Sequence, residues 1–189
     1  MSQTANEETS SRRISLRPAS PNDNAFLLQV YASTRQEEMA SSGWSPVQQS
    51  SFVRMQYDAR KYGYEASYPS SENSVISMGG VPAGSLIIFR SSSEIRLVDI
   101  ALLPEFRSRG IGGEVIRMLI SEAGDAGSAL RLSVLRSNRA RHLYERVGFI
   151  VKGGDEMYCE MERVPAQMQA RGNVANTSPE KDPHAGKSE

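Results

Sequence analysis

Hydrophobic positions along this chain switch between a spacing of two and a spacing of three to four, and the switches lay out its elements. Ile14 and Leu16 share one face of a first strand over Arg12–Arg17, stopped by Pro18. Ser20-Pro21-Asn22-Asp23 opens a helix, with Ser as N-cap, Pro at the first helical position and an acid at the third. That helix runs through Phe26, Leu27, Val30, Tyr31 and Thr34 toward Met39, and Gly43 breaks it. Ser45-Pro46-Val47-Gln48 repeats the signal as a capping box, and Phe52, Met55 or Gln56, and Ala59 carry a second stripe to the neighbourhood of Gly63. Ser74–Met78 and Gly84–Phe89 read as a hairpin around Gly79-Gly80, with Pro82 marking an edge or a bulge.

The segment Glu94–Glu122 then organises the chain. Its first half is an Ile/Leu/Val-rich strand that stops at Pro104. Its second half sets Ile111, Val115, Ile116, Leu119 and Ile120 on one helical face. Between them stands Arg107-Ser108-Arg109-Gly110-Ile111-Gly112. Glycines let the backbone turn sharply and approach a ligand, and the unpaired N–H groups of the next helical turn favour an anion. The turn reads as a phosphate cradle flanked by two arginines. It is not a Walker loop, since no Gly-Lys-Ser/Thr follows, and no GxGxxG dinucleotide pattern is in order.

Gly124–Gly127 ends this helix, and Leu130, Leu132 and Val134 alternate as a fifth strand. Ser137 and Asn138 start a helix whose Ala140, Leu143, Tyr144 and Val147 share a face, with Gly148 in the left-handed position past its end. Phe149–Val151, a Gly153-Gly154-Asp155 turn and an alternating Met157, Cys159 and Met161 form a last hairpin.

At this point IALLPEFRSRGIGG resembles the acyl-CoA-binding motif of the GNAT superfamily of N-acetyltransferases, Arg/Gln-x-x-Gly-x-Gly/Ala. SNRARHLYERVGF resembles the second motif of the same superfamily, an Asn followed by Ala-x-x-Leu-Tyr-x-x-x-Gly-Phe. The likeness is sharp over residues 94–150, weaker over 12–93 and absent after about 163. It implies a single α/β (α+β) domain over 12–163, built on a mixed, mostly antiparallel sheet of about six to seven strands. That sheet would be splayed at its centre, with helices on both faces. Segments 1–11 and 164–189 are polar, short of core formers and expected to be disordered.

Composition narrows the setting more than the chemistry. The 189 residues suffice for one domain with a real core, and 22 basic residues balance 22 acidic ones. No bulk attraction to nucleic acid or to an anionic membrane is expected. A single cysteine, Cys159, allows no internal disulfide and no thiolate metal site, and a cytoplasmic location is the simpler expectation. No His/Cys/Asp/Glu cluster has ligand spacing, so no metal is expected. No apolar run approaches the ~20 residues that span a bilayer, and the N-terminus lacks a signal-peptide core. A monomer or a homodimer would fit.

The resemblance also implies roles. The pyrophosphate of acetyl-CoA, the co-substrate, would rest on the N–H groups of Ser108, Arg109, Gly110, Ile111, Gly112 and Gly113, with charge from Arg107 and Arg109. Ile100, Ala101 and Leu102 would present main chain to the pantetheine arm as an added strand does, and a bulge would free N–H groups to polarise the thioester. Asn138 would bond the cofactor arm, or cap its helix, or both. It lies six positions before Tyr144, one fewer than in many relatives, which bears on Asn138 more than on Tyr144.

Tyr144 would protonate the departing thiolate, the alternative being a core tyrosine. For the base, the fifth-strand position where some members carry Glu holds Ser133, and a fourth-strand position holds Arg96. Glu94 and Asp99 are the nearby acids. Asp99, in an apolar strand, is either a base or a pin to a buried arginine. Trp44, Tyr57, Tyr62, Tyr64 and Tyr68 make the second helical region aromatic, and a pair of them could line the acceptor site. The expected reaction is acetyl transfer to a primary amine of a small molecule or protein. A non-catalytic acyl-CoA-binding module on the same fold is the alternative.

Deleting residues 166–189 should leave the melting temperature and CoA affinity nearly unchanged, because few buried contacts are expected there. A drop of many degrees would show that the tail docks.

Overall fold

The structure is a computed structural model describing residues 13–165, so both terminal segments expected to be disordered lie almost wholly outside the described residues. Seven strands form one sheet: β1 (Ile14–Pro18), β2 (Glu72–Met78), β3 (Val81–Arg90), β4 (Glu94–Leu102), β5 (Ala129–Leu135), β6 (Ile150–Gly154) and β7 (Tyr158–Arg163). Their spatial order is β1-β2-β3-β4-β5-β7-β6, and only the β4–β5 pair is parallel. Five helices accompany it: α1 (Asn24–Thr34), α2 (Gln36–Ala40), α3 (Pro46–Ser67), α4 (Ile111–Asp125) and α5 (Ala140–Arg146). The expected architecture holds. Among the described residues no helix is long and apolar enough to cross a membrane.

Helix α4 packs on β4 and β5, burying Ile111, Val115, Ile116 and Leu119 against Leu86, Ile95, Leu97, Leu130 and Leu132, while Ile120 is partly buried. Helices α1 and α3 meet in a second cluster around Tyr31, Met39 and Val53. The sheet thus carries its main core under α4 and a smaller one between α1 and α3.

Strand β6 runs through Gly153 and Gly154, which the sequence reading gave to the turn, and three other boundaries differ for local reasons. The first helix is interrupted at Arg35 because the hydroxyls of Ser33 and Thr34 donate to the carbonyls of Val30 and Tyr31, both at 2.7 Å. Helix α3 continues past Gly63 to Ser67, where Arg60 and Tyr64 are joined by a side-chain hydrogen bond one turn apart. Met157 stays out of β7: the Asp155 carboxylate accepts from the N–H groups of Met157 and Tyr158 at 2.8 and 2.7 Å and holds a turn there.

Pro82 lies in β3, an interior strand, beside a register shift in the β2–β3 ladder, so the bulge alternative is the one realised. Two residues on lies Gly84, where an added Cβ would collide with the Ala101 carbonyl of β4. The two strands approach too closely for a side chain. Gly84→Ala should therefore lower stability by about 1–3 kcal/mol, the usual cost of overpacking, read from the denaturation midpoint. An unchanged midpoint would mean that β3 and β4 can separate freely.

Candidate active site

The site begins with a defect in β4. Along the β3–β4 ladder, Ile88 pairs with Leu97 but Ile87 pairs with Asp99, so Val98 is an extra residue without a partner. Before it, Ile95 and Leu97 point into the core under α4; after it, Ile100 and Leu102 do. The bulge has shifted the side-chain alternation by one residue. Asp99, which regular alternation would send into that core, instead faces α3.

Pairing with β5 ends at the same place. The parallel ladder runs from Glu94–Ala129 to Leu97–Leu132, whereas β5 continues to Leu135 beside β7. The two strands part, leaving a cavity of about 400 Å³ with Val98–Ala101 on one wall, Ser133–Leu135 on the other, and Asn138 and Tyr144 at its side. The Leu103 N–H donates to Ala83 at 2.9 Å, so the alternating main chain of Ala101 also turns toward β3. Ile100 and Leu102 consequently turn their N–H and C=O groups to the gap. The Leu102 carbonyl accepts from Arg107 Nε at 2.8 Å.

The glycine turn lies beyond the end of β4. Ser108 and Gly110 take left-handed backbone angles, φ 60° and 83°, and α4 starts at Ile111. The Gly110 carbonyl accepts from the Glu114 N–H at 3.0 Å, and the N–H groups of Ile111, Gly112 and Gly113 precede the first position that can bond within the helix. A Cβ built on Gly110 or Gly112 meets no atom within 4 Å, whereas at Gly113 it would touch Leu143 and Arg117. The cradle is open outward and packed inward, as an anion site requires.

Its arginines differ. Arg107 Nη2 donates to the carbonyl and hydroxyl of Ser33 at 3.2 and 3.1 Å, so this side chain braces β4 and α1. Arg109 is exposed, with its guanidinium 5.6 Å from the Phe106 ring.

Asn138 caps α5: its Oδ1 accepts from the Ala140 N–H at 2.9 Å, and the residue also borders the cavity. Tyr144 is buried against Phe149, ring centres 5.7 Å apart, and also borders the cavity. Burial and then the negative charge of Asp99 push its phenol up to about 12. The phenol therefore senses the Asp99 charge across the gap.

Asp99 forms an ion pair with Arg60 of α3. Burial pushes the carboxyl up, and the Arg60 guanidinium and the Ile100 N–H hold it back part of the way. Arg60 lies between two rings, 5.2 Å from Tyr31 and 5.0 Å from Tyr64, and its Nε donates to the Tyr64 hydroxyl at 2.9 Å. Beyond the pair is a second cavity of about 160 Å³, between α1, α3 and β4, reached by Tyr31, Tyr57 and Tyr64. Arg60, Tyr64, Asp99 and Ala101 border both cavities.

Of the other residues weighed from sequence, Glu94 and Arg96 lie in an ion-pair ladder with Arg131, Glu160 and Glu162 at the start of β4. Ser133 does border the gap. Among the aromatics, Tyr62 is exposed, Trp44 packs on Phe52 and Tyr68 on Phe89. Arg60 and Tyr31 were not singled out by sequence. The one signal for Arg60 was the lone acid of β4, which demands a cation without naming which.

Comparison with solved structures finds the same architecture repeatedly. PaiA N-acetyltransferase from Thermoplasma acidophilum, in complex with coenzyme A, is 20% identical with a TM-score of 0.60, covering 80% of this chain and 99% of that one. An acetyltransferase from Thermus thermophilus is 19% identical with a TM-score of 0.59, covering 82% of this chain and 98% of that one. A structure described as histone acetyltransferase HPA2 and related acetyltransferase, from Corynebacterium glutamicum, is 19% identical with a TM-score of 0.59, covering 81% and 97%. At such identities the likeness shows the fold. No curated protein matches the chain significantly. The profile described as Acetyltransferase (GNAT) family matches residues 34–149, more than half of the 189-residue chain and the span that includes β4, the glycine turn, Asn138 and Tyr144. The chain belongs to the GNAT acetyltransferase family.

Proposed function

We propose that this protein transfers an acetyl group from acetyl-CoA to a primary amine by direct attack in a ternary complex. The observation that carries the reading is the gap opened at Val98. It has main chain that no strand pairs on one wall, Asp99 and Tyr144 both border it, and an outward-open glycine turn follows the same strand. The N–H groups from Ser108 to Gly113 suit the pyrophosphate, Ile100 and Leu102 suit the pantetheine arm, and the amide nitrogen of Asn138 is left over from its cap. Acetyl-CoA supplies the activated acyl group.

The chain then has two protons to manage. Asp99 takes one from the acceptor ammonium, and the raised affinity of its carboxyl for a proton suits that task. Neutralising Asp99 loosens its hold on the Ile100 N–H, which becomes available to the oxyanion formed as nitrogen attacks the carbonyl carbon. Tyr144 gives its proton to sulfur as the C–S bond breaks, and the second amine proton restores the phenol through water. Asp99 returns its proton to solvent, so one proton leaves per turnover. A non-catalytic acyl-CoA-binding module is the second reading, favoured by Ser133 standing where some members carry a glutamate.

Incubation with acetyl-CoA and a panel of primary amines should release free thiol. CoA binding without thiol release on any amine would favour the second reading. Gly112→Asp should stay folded, because its side chain points into open space, yet lose CoA affinity at least tenfold by calorimetry. Unchanged affinity would remove the cradle from the binding site.

Tyr144→Phe keeps the ring beside Phe149, so the variant should fold and bind acetyl-CoA normally while turning over roughly 10²–10⁴ slower. A wild-type rate at saturating acetyl-CoA, where chemistry limits turnover, would assign the tyrosine to packing alone.

A further inference from the structure

The second cavity bears on the acceptor. Its polar lining is balanced: Arg60 and Lys61 against Asp99 and Glu65, with Asn73 among the neutral groups. Arg60 is ion-paired to Asp99, and Lys61 stands 4.0 Å from Glu65. The Lys61–Glu65 pair is largely exposed, with more than half of each side chain accessible, so solvent screens it. The Arg60–Asp99 pair is the less accessible one, at 26% and 19%, and it forms the partition between this cavity and the gap beside β4.

We infer that the acceptor is a small zwitterion, an α-amino acid or a close analogue, whose carboxylate takes the Arg60 guanidinium and whose ammonium takes Asp99. This rests on the N-acetyltransferase reading above. The argument is one of charge and size. An amine that displaced Arg60 from Asp99 would leave a guanidinium without its counter-ion among the rings of Tyr31 and Tyr64. A diamine would add a further positive charge beside Arg60 and Lys61. A zwitterion exchanges one ion pair for two and leaves no charge unmatched, and the planar guanidinium fork fits a carboxylate in two places at once.

Proton transfer then occurs at the partition, where Asp99 also borders the cavity that Tyr144 lines. The volume agrees. A cavity of about 160 Å³ is comparable to the ~150 Å³ site that takes up benzene in another protein, room for a group the size of an amino acid. The rings of Tyr31 and Tyr57, 5.6 Å apart, offer apolar wall to its side chain.

The test uses the wild-type protein and three pools built on the same side chains: the common L-amino acids, their C-terminal amides, and the amines lacking the carboxyl group, with putrescine added. Thiol release from acetyl-CoA should be at least tenfold faster, as kcat/KM, for the best amino acid than for its amide or its decarboxylated amine. Calorimetry with CoA present should show the amino acid binding and the amide binding at least tenfold more weakly. Arg60→Lys keeps a cation for Asp99 and so protects the fold, and it should narrow the amino acid-to-amide ratio by raising KM for the amino acid. Amides or putrescine used as well as the amino acid would overturn the inference while leaving the transferase reading intact. If no amine releases thiol, the transferase reading fails, and the calorimetric arm decides this one. Preference for the amino acid over its amide would support it, and equal binding or none would overturn it.

Discussion

One unpaired residue, Val98, governs both the opening of the sheet and the polarity of its two sides. A β-sheet has two ways to lose a neighbour, by ending a strand or by bending it, and here β4 bends. The bend leaves Ile100 and Leu102 with main-chain groups that no strand satisfies, at a place where β5 is still paired to β7. The same inserted residue moves Asp99 from the α4 face to the α3 face. In a regular ladder of the same sequence Asp99 would point into the largest apolar cluster, so cleft and acid are two consequences of one backbone irregularity.

The ends of that opening are held by unlike means. On the cradle side, packing does the work: Ile111 and Gly113 are buried, and Leu143 of α5 lies in van der Waals contact with the point where a side chain at Gly113 would stand. On the side of the second cavity the ties are polar. Arg107 reaches from the turn to Leu102 and to Ser33 near the end of α1, and Arg60 reaches from α3 to Asp99. The helices over the second cavity are therefore tethered to β4 by hydrogen-bonded cations, whose partners a ligand could exchange. A packed apolar contact offers no such exchange.

Much of the fold was legible because its signals are local. The two Ser-Pro helix starts, the turn at Gly79-Gly80, the apolar stripe of α4 and the left-handed Gly148 each depend on a few adjacent residues. The Arg107–Gly113 turn and Asn138–Phe149 were legible for the same reason. What escaped depends on contacts remote in sequence. That Asp99 requires a cation follows from its apolar strand, but the choice of Arg60 depends on how α3 lies across β4, which no periodicity encodes. Tyr31 was read as one more stripe residue of the first helix, and its place against Arg60 has the same origin. The brace formed by Arg107 was hidden differently. Its position in the motif suggested a phosphate ligand, and only the proximity of Ser33 supplies the competing partner.

The two titrating groups illustrate how one environment can raise the proton affinity of two unlike side chains together. Burial destabilises the charged form of each, so both Asp99 and Tyr144 bind a proton more tightly than in water. For the phenol this is reinforced, since the charge of Asp99 further opposes phenolate and its own proton is retained at neutral pH. For the carboxyl it is opposed by Arg60, which keeps the charged form accessible while leaving it a better proton acceptor than an exposed aspartate. Arg60 thus preserves part of the separation that a carboxyl and a phenol have by nature. Moving Arg60 away would raise Asp99 toward neutrality and, by removing its negative charge, lower Tyr144. The ion pair that lines the second cavity also sits between the two groups' titrations.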